Sequence, residues 1–250
     1  MSPIPLPIIR SELFSTVPGL TFGMSTRMGG VSSGSLGMNT SFNVGDSESH
    51  VRGNRSRFFA ALGITPDRIV FPRQVHGKIV RLVDEPGTID HCDGLITRVK
   101  GLYLSVSVAD CFPIIIFDRK TESLAALHAG WRGSCAGVIP SALEMLENAC
   151  NVDPADLLCF IGPGARSCCY EVGEDVAQRF GSDFVNRASD GTCRLDLASY
   201  NRSLLLGRGV RKESIEVSEN CTICTPELLH SFRRDGANSG RMMAIAGMCR

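Results

Sequence analysis

"SVSVADCFPIIIFDRKTESLAALHAGWRG", Ser105 to Gly133, decides how the rest of the chain is read. It contains three strand-length runs rich in β-branched and apolar residues, at 102–108, 113–117 and 123–127. Short polar breaks separate them, so the stretch reads as three buried β-strands. Two reactive side chains interrupt the pattern. Cys111, beside Asp110, follows the first run, and His128 closes the third and opens the turn "HAGWRG".

Composition bounds the rest. The chain has 250 residues, 43% of them hydrophobic and 21% charged, enough for one large domain or two small ones with a sizeable core. Lysine plus arginine (26) balances aspartate plus glutamate (26), and no basic run occurs, which excludes a nucleic-acid partner and favours a small molecule. Eleven cysteines, an odd number at irregular spacing, argue against a disulfide framework and for a reducing cytoplasm. "MSPIPLPIIRSELF" has three prolines and no long apolar core, so neither a signal peptide nor a membrane anchor is expected. No segment approaches the ~20 apolar residues of a membrane-spanning helix.

Further along the chain, "GMSTRMGGVSSGSLGMNTSFNVGD", Gly23 to Asp46, follows a short strand at 20–22 and reads as a long functional loop. Additional strands are expected at 69–71, 79–83, 95–97 and 242–248. Helices are expected at 49–62, at 134–150 with a kink or fresh start at Pro140, and in "DLASYNRSLLLGRG" between an Asp196 cap and a Gly209 stop. "TPELL", with Thr225 as cap and Pro226 in the first position, predicts another helix start, which would place His230 on a helix. Strands with interspersed helices and no regular βαβ alternation predict an α+β fold, mixed sheets flanked by helices, and not a Rossmann fold.

Three residues carry the chemistry. His76 sits before Gly77 in "FPRQVHGKIV", between two β-like runs, and Cys111 and His128 both lie where a strand gives way to a turn. Neighbouring strands are ~4.8 Å apart, so such edges can converge. Two imidazoles and a thiolate form a zinc set that keeps a fourth position for water or substrate. Asp110 is placed to orient a ligand. Separations of 35 and 17 residues match no short metal motif, and each residue equally suits a satisfied core group. A Cys111–His128 nucleophile pair acting on an amide is a further reading. "CTIC", Cys221 to Cys224, is a lone CxxC without a second pair, read as core or loop. Cys168 and Cys169 are adjacent and, if extended, would point to opposite sides. Arg27, Arg132, Arg233, Arg234 and Arg241 offer planar donor forks for an anion. No GxGxxG or P-loop pattern occurs.

"GMSTRMGGVS", "FPRQVHG", "SVADCFPIIIFD", "LHAGWRG", "CYEVGEDV", "SFRRDG" and "SGRM", in that order, resemble the laccase-domain family, also called the multicopper polyphenol oxidase or purine nucleoside phosphorylase family. The resemblance runs from Gly23 to Met248 and implies one α+β domain over residues 1–250. It implies Zn²⁺ held by His76, Cys111 and His128, which would also be the catalytic residues. It further implies phosphorolysis of purine nucleosides (adenosine, inosine, guanosine, S-methyl-5′-thioadenosine), with adenosine deamination as a second activity. The older family name implies copper-dependent phenol oxidation, and copper also suits a His₂Cys set. Five histidines, none two residues from another, are too few for a multicopper cluster. Within this reading Arg27, Asn43 and Arg241 contact substrate and Asp93 is the suggested general acid. The partners are a nucleoside and phosphate, with no membrane and an open oligomeric state. Phe232 stands where the family often has tyrosine, His230 is unusual, and His91 and Cys92 precede Asp93 where small residues are usual.

Overall fold

The strand stretch that opens the reading folds into the middle of two mixed sheets. A computed structural model describes residues 6–249. The first sheet runs in the order Ile8–Ile9, Leu20–Ser25, Met242–Met248, Tyr103–Val108, Ile69–Pro72, Gly87–Ile89. The second runs Ile215–Val217, Leu157–Ile161, Phe112–Asp118, Leu124–Ala129, Gly94–Thr97, Val80–Leu82. A small third sheet joins Glu171–Val172, Cys193–Leu195 and Val185–Arg187. Parallel and antiparallel pairs mix in both large sheets, as the α+β expectation requires.

Period-two alternation distributes these strands over three core layers. Ile115 and Phe117 join Leu104, Val106, Phe160, Met242 and Ala244 in the layer between the large sheets. Ile114 and Ile116 face the other way, against Ile139, Leu143 and Leu146 of the helix Val138–Cys150. Met243 and Ile245, on the far face of the first sheet, pack on Phe58 and Phe59 of the helix Glu48–Leu62. Both faces of the "PIIIF" strand are therefore covered, and its unbroken apolar run is what such burial demands.

Local signals explain most boundaries. Ser47 caps Glu48–Leu62 through the His50 N–H, and Gly63 ends it at φ 68°. Asp196 caps Leu197–Gly207 as expected. The break anticipated at Pro140 falls at Gly137, whose φ of 96° separates Trp131–Ala136 from Val138–Cys150 and leaves Pro140 in a first turn, where it removes no needed donor. "TPELL" does not continue as a helix. The Leu229 N–H closes one turn on the Thr225 carbonyl. The next carbonyls are then taken by tertiary donors: the Arg27 guanidinium on Pro226, the Arg27 backbone N–H on Leu228, and the Arg234 guanidinium on Leu229.

His230 is thus buried off any helix, and neither ring nitrogen has a hydrogen-bond partner among the described residues. Burial, aided by Arg27, pushes its pKa from 6.5 down to about 3. The folded pKa lies below the unfolded one, so the stability from the neutral ring is complete above pH 6.5 and is lost as pH falls towards 3. Between pH 7 and 5 the parent should lose about 2 kcal/mol more than a His230→Leu variant, read by urea melts at both pH values. Equal losses would show that His230 is not the proton-binding group.

Among the described residues no helix is long and apolar enough to cross a membrane.

Candidate functional site

Strand register assembles the site. Phe112 pairs with Ala129 and Pro113 with His128, which sets Cys111 opposite Gly130. Gly94 pairs with Leu127, which brings Asp93 beside His128, and the His128 N–H bonds the Asp93 carbonyl at 2.7 Å. His76 arrives on the loop between Ile69–Pro72 and Val80–Leu82, at φ 60°. One donor atom from each of His76, Cys111 and His128 lies within 4.8 Å of the other two. The imidazole rings meet edge to face at 4.7 Å. A Cβ at Gly130 would sit 2.7 Å from the Cys111 sulfur, so any larger residue there would displace that donor atom.

Asp93 organises this set and is not the acid suggested from sequence. One of its oxygens bonds His128 Nδ1 at 2.8 Å. The two oxygens also accept the N–H groups of Val75 (3.1 Å), His76 (2.9 Å) and Gly77 (2.7 Å). It is 1% exposed. Burial works against its charge, but the His128 and Gly77 hydrogen bonds outweigh that and hold its pKa below the ordinary value. Asp93 therefore stays ionised, fixes the proton on His128 Nδ1 and leaves Nε2 as the donor atom towards the sulfur. Asp110, expected in that orienting role, serves elsewhere: it accepts the Thr222 hydroxyl and the Arg233 N–H, each at 2.7 Å.

The electrostatics suit a cation. Burial alone would raise the Cys111 thiol, yet His128 and His76 bring it down to about 6. Burial alone would lower His128, yet Cys111 and Asp93 raise it to about 9. Without a metal these two side chains form a thiolate–imidazolium pair. A divalent ion bound here would take the place of the imidazolium proton beside an already ionised thiolate. His76, on the exposed side, completes a set of soft and borderline donors that fits zinc or copper. An Asp93–His128–Cys111 order would also serve a thiol hydrolase, but that chemistry leaves the third donor, His76, without a role.

The three residues floor an open cavity of about 1010 Å³. Asn43 and Arg241 lie on its wall. Arg241 donates to the Ser239 and Gly240 carbonyls and stacks 5.3 Å from the Phe232 ring. Arg27 does not line the cavity. Its guanidinium donates to the Pro226 and Ser35 carbonyls and holds the Gly-rich loop, so it is not placed to meet an anion in the cavity as the sequence suggests. Two wall residues escaped the sequence reading. Arg55 is clamped between Phe42 (4.4 Å) and Phe71 (4.8 Å), and burial lowers its pKa to about 10. Gln74 bonds the Ser107 backbone on both sides. A helix-surface arginine and a loop glutamine carry no sequence signal that marks them.

Residues 21–249 match the family described as multi-copper polyphenol oxidoreductase laccase. The chain belongs to that family. A purine nucleoside phosphorylase of Deinococcus radiodurans is 35% identical, over 98% of this chain and 94% of its own. A protein named adenosine deaminase RL5, from an unknown prokaryotic organism, is 32% identical over 92% and 91%. The crystal structure of YlmD from Geobacillus stearothermophilus superposes with a TM-score of 0.90 at 31% identity, covering 96% of this chain and 94% of that one. The family description speaks of several coppers, yet among the described residues only two of the five histidines meet at a donor cluster.

Proposed function

We propose that this family member is a purine nucleoside phosphorylase with adenosine deaminase activity, with Zn²⁺ at His76, Cys111 and His128. The observation that carries the reading is a three-donor set on the floor of an arginine-rich cavity. The names of the relatives, phosphorylase and deaminase, support it. A zinc ion held by two imidazoles and one thiolate supplies Lewis acidity and lowers the pKa of water in its open position.

The chain's own residues supply the rest. Asp93 orients His128 and, through three backbone N–H groups, the turn bearing His76. Arg55, Arg132, Arg233 and Arg241 line the cavity without a carboxylate partner among the described residues, whereas Arg73 is paired with Asp90 at 3.0 Å. These four make a cationic wall for phosphate. Phe42 (45% exposed) and Phe232 (50% exposed) stand on the same wall and offer faces for a purine ring. Asn43 offers an amide to ribose or base. A reducing cytoplasm suits a chain whose eleven cysteines are all free.

The test is purified, zinc-loaded protein with adenosine, with and without phosphate and a chelator, followed by chromatography. Adenine should appear only with phosphate, inosine should appear without it, and the chelator should stop both. Absence of nucleoside turnover by metal-loaded protein would overturn the reading.

A further inference from the structure

The second cluster of donors lies outside the cavity, where sequence reading expected nothing. Leu157–Ile161 and Ile215–Val217 pair in parallel, so the segments after them leave the sheet at the same end. An isolated bridge between Gly164 and Cys221 keeps them together. One segment carries Cys168 and Cys169, the other Cys221 and Cys224. Cys168 and Cys169 stand in a turn closed by the Cys169 and Tyr170 N–H groups on the Arg166 carbonyl. They are not extended, so the alternation that would send their side chains apart does not apply. The CxxC segment is a turn as well, closed by the Thr225 N–H on the Cys221 carbonyl.

All four sulfurs lie within 4.8 Å of one another. Cys169 and Cys224 are 2.8 Å apart, Cys168 and Cys224 3.4 Å, and none is in a disulfide. A tetrahedral ion with Zn–S bonds of ~2.3 Å needs sulfurs about 3.8 Å apart. That spacing is within the 4.8 Å that bounds the four and asks a small outward adjustment of Cys224 and its two neighbours. Arg234 fixes the loop by donating to the Thr222 and Ile223 carbonyls at 2.7 and 3.3 Å. Four thiolates with no open position are a closed, structural set, unlike the three donors of the cavity.

We propose that Cys168, Cys169, Cys221 and Cys224 bind a second, structural ion of the zinc class. The ion ties together two loops that build the cavity wall. Thr222, inside the CxxC, donates to Asp110 beside Cys111. Tyr170, next to Cys169, lies 5.2 Å from the Arg233 guanidinium. The staple therefore sets the wall position of Asp110, Tyr170 and Arg233 without touching substrate.

The experiment counts ions in full-length protein, reduced, loaded with Zn²⁺ and desalted. The parent should hold two per chain and a His128→Ala variant one. His128→Ala combined with Cys168→Ser and Cys224→Ser should hold none. Loading the His128→Ala protein with Co²⁺ should give a thiolate-to-cobalt absorption that the combined variant lacks. Should the combined variant fold poorly, thiol titration of the parent decides the matter: these cysteines should be protected until a chelator is added. The proposal is overturned if reduced His128→Ala protein retains no zinc. It is equally overturned if the parent keeps one ion while its mass shows a disulfide among these four residues. Neither readout depends on nucleoside turnover, so this inference and the proposed function fail separately.

Discussion

A His128→Ala variant should turn over adenosine about 10³-fold more slowly than the parent, with or without phosphate. Lewis-acid stabilisation is worth several kcal/mol of transition-state energy, and each 1.36 kcal/mol is tenfold in rate. The change removes a buried donor atom, 3% exposed, and leaves Asp93 without its ring partner. Zinc at the His76–Cys111 pair should fall correspondingly, measured by chelator competition. Added imidazole, small enough to enter the space left behind, should restore part of the rate. A variant that keeps parental turnover after complete exchange into chelator would show that His128 holds no catalytic ion.

Asp93→Asn should have the next largest effect, on metal affinity more than on shape. The amide nearly preserves volume but has one acceptor oxygen where the carboxylate has two, against four donors converging on it. Two donors must go unpaired, at a cost of about 1–3 kcal/mol each. The preference for a proton on His128 Nδ1 also weakens, so metal affinity should fall roughly 10–100-fold, as for other residues that orient a ligand. At saturating zinc most of the rate should return. This pattern separates Asp93 as a positioning residue from Asp93 as a proton donor, for which zinc would restore nothing. A competition titration with a fluorescent chelator, alongside turnover at rising zinc, measures both.

These effects trace to residues of unequal visibility in the sequence. The strand stretch around Cys111 and His128 is legible because both sheet faces are covered, and the apolar runs mark the strands to within two residues at either end. His76, Cys111 and His128 are nameable because Cys111 and His128 sit where a strand begins or ends and His76 sits on the loop between two strands, although only the fold brings them together. Asp93 was misread as an acid, since its role rests on three backbone N–H groups that no side-chain pattern announces. Arg27 was misread for the same reason: its partners are main-chain carbonyls of Ser35 and of the distant Pro226. The four-cysteine cluster carries no sequence signal, because an adjacent cysteine pair points both ways if extended and only a turn brings the two side chains together. The parallel pairing that unites the two segments also joins strands more than fifty residues apart.

The bonds from Asp93 to the turn before Gly77 have one more implication. A single carboxylate serves both the strand carrying one imidazole and the loop carrying the other, so folding itself gathers the ligands. An ion that bound there would meet donors already gathered. Its capture would then turn on shedding its own hydration and on release of the His128 proton, with little rearrangement of the polypeptide.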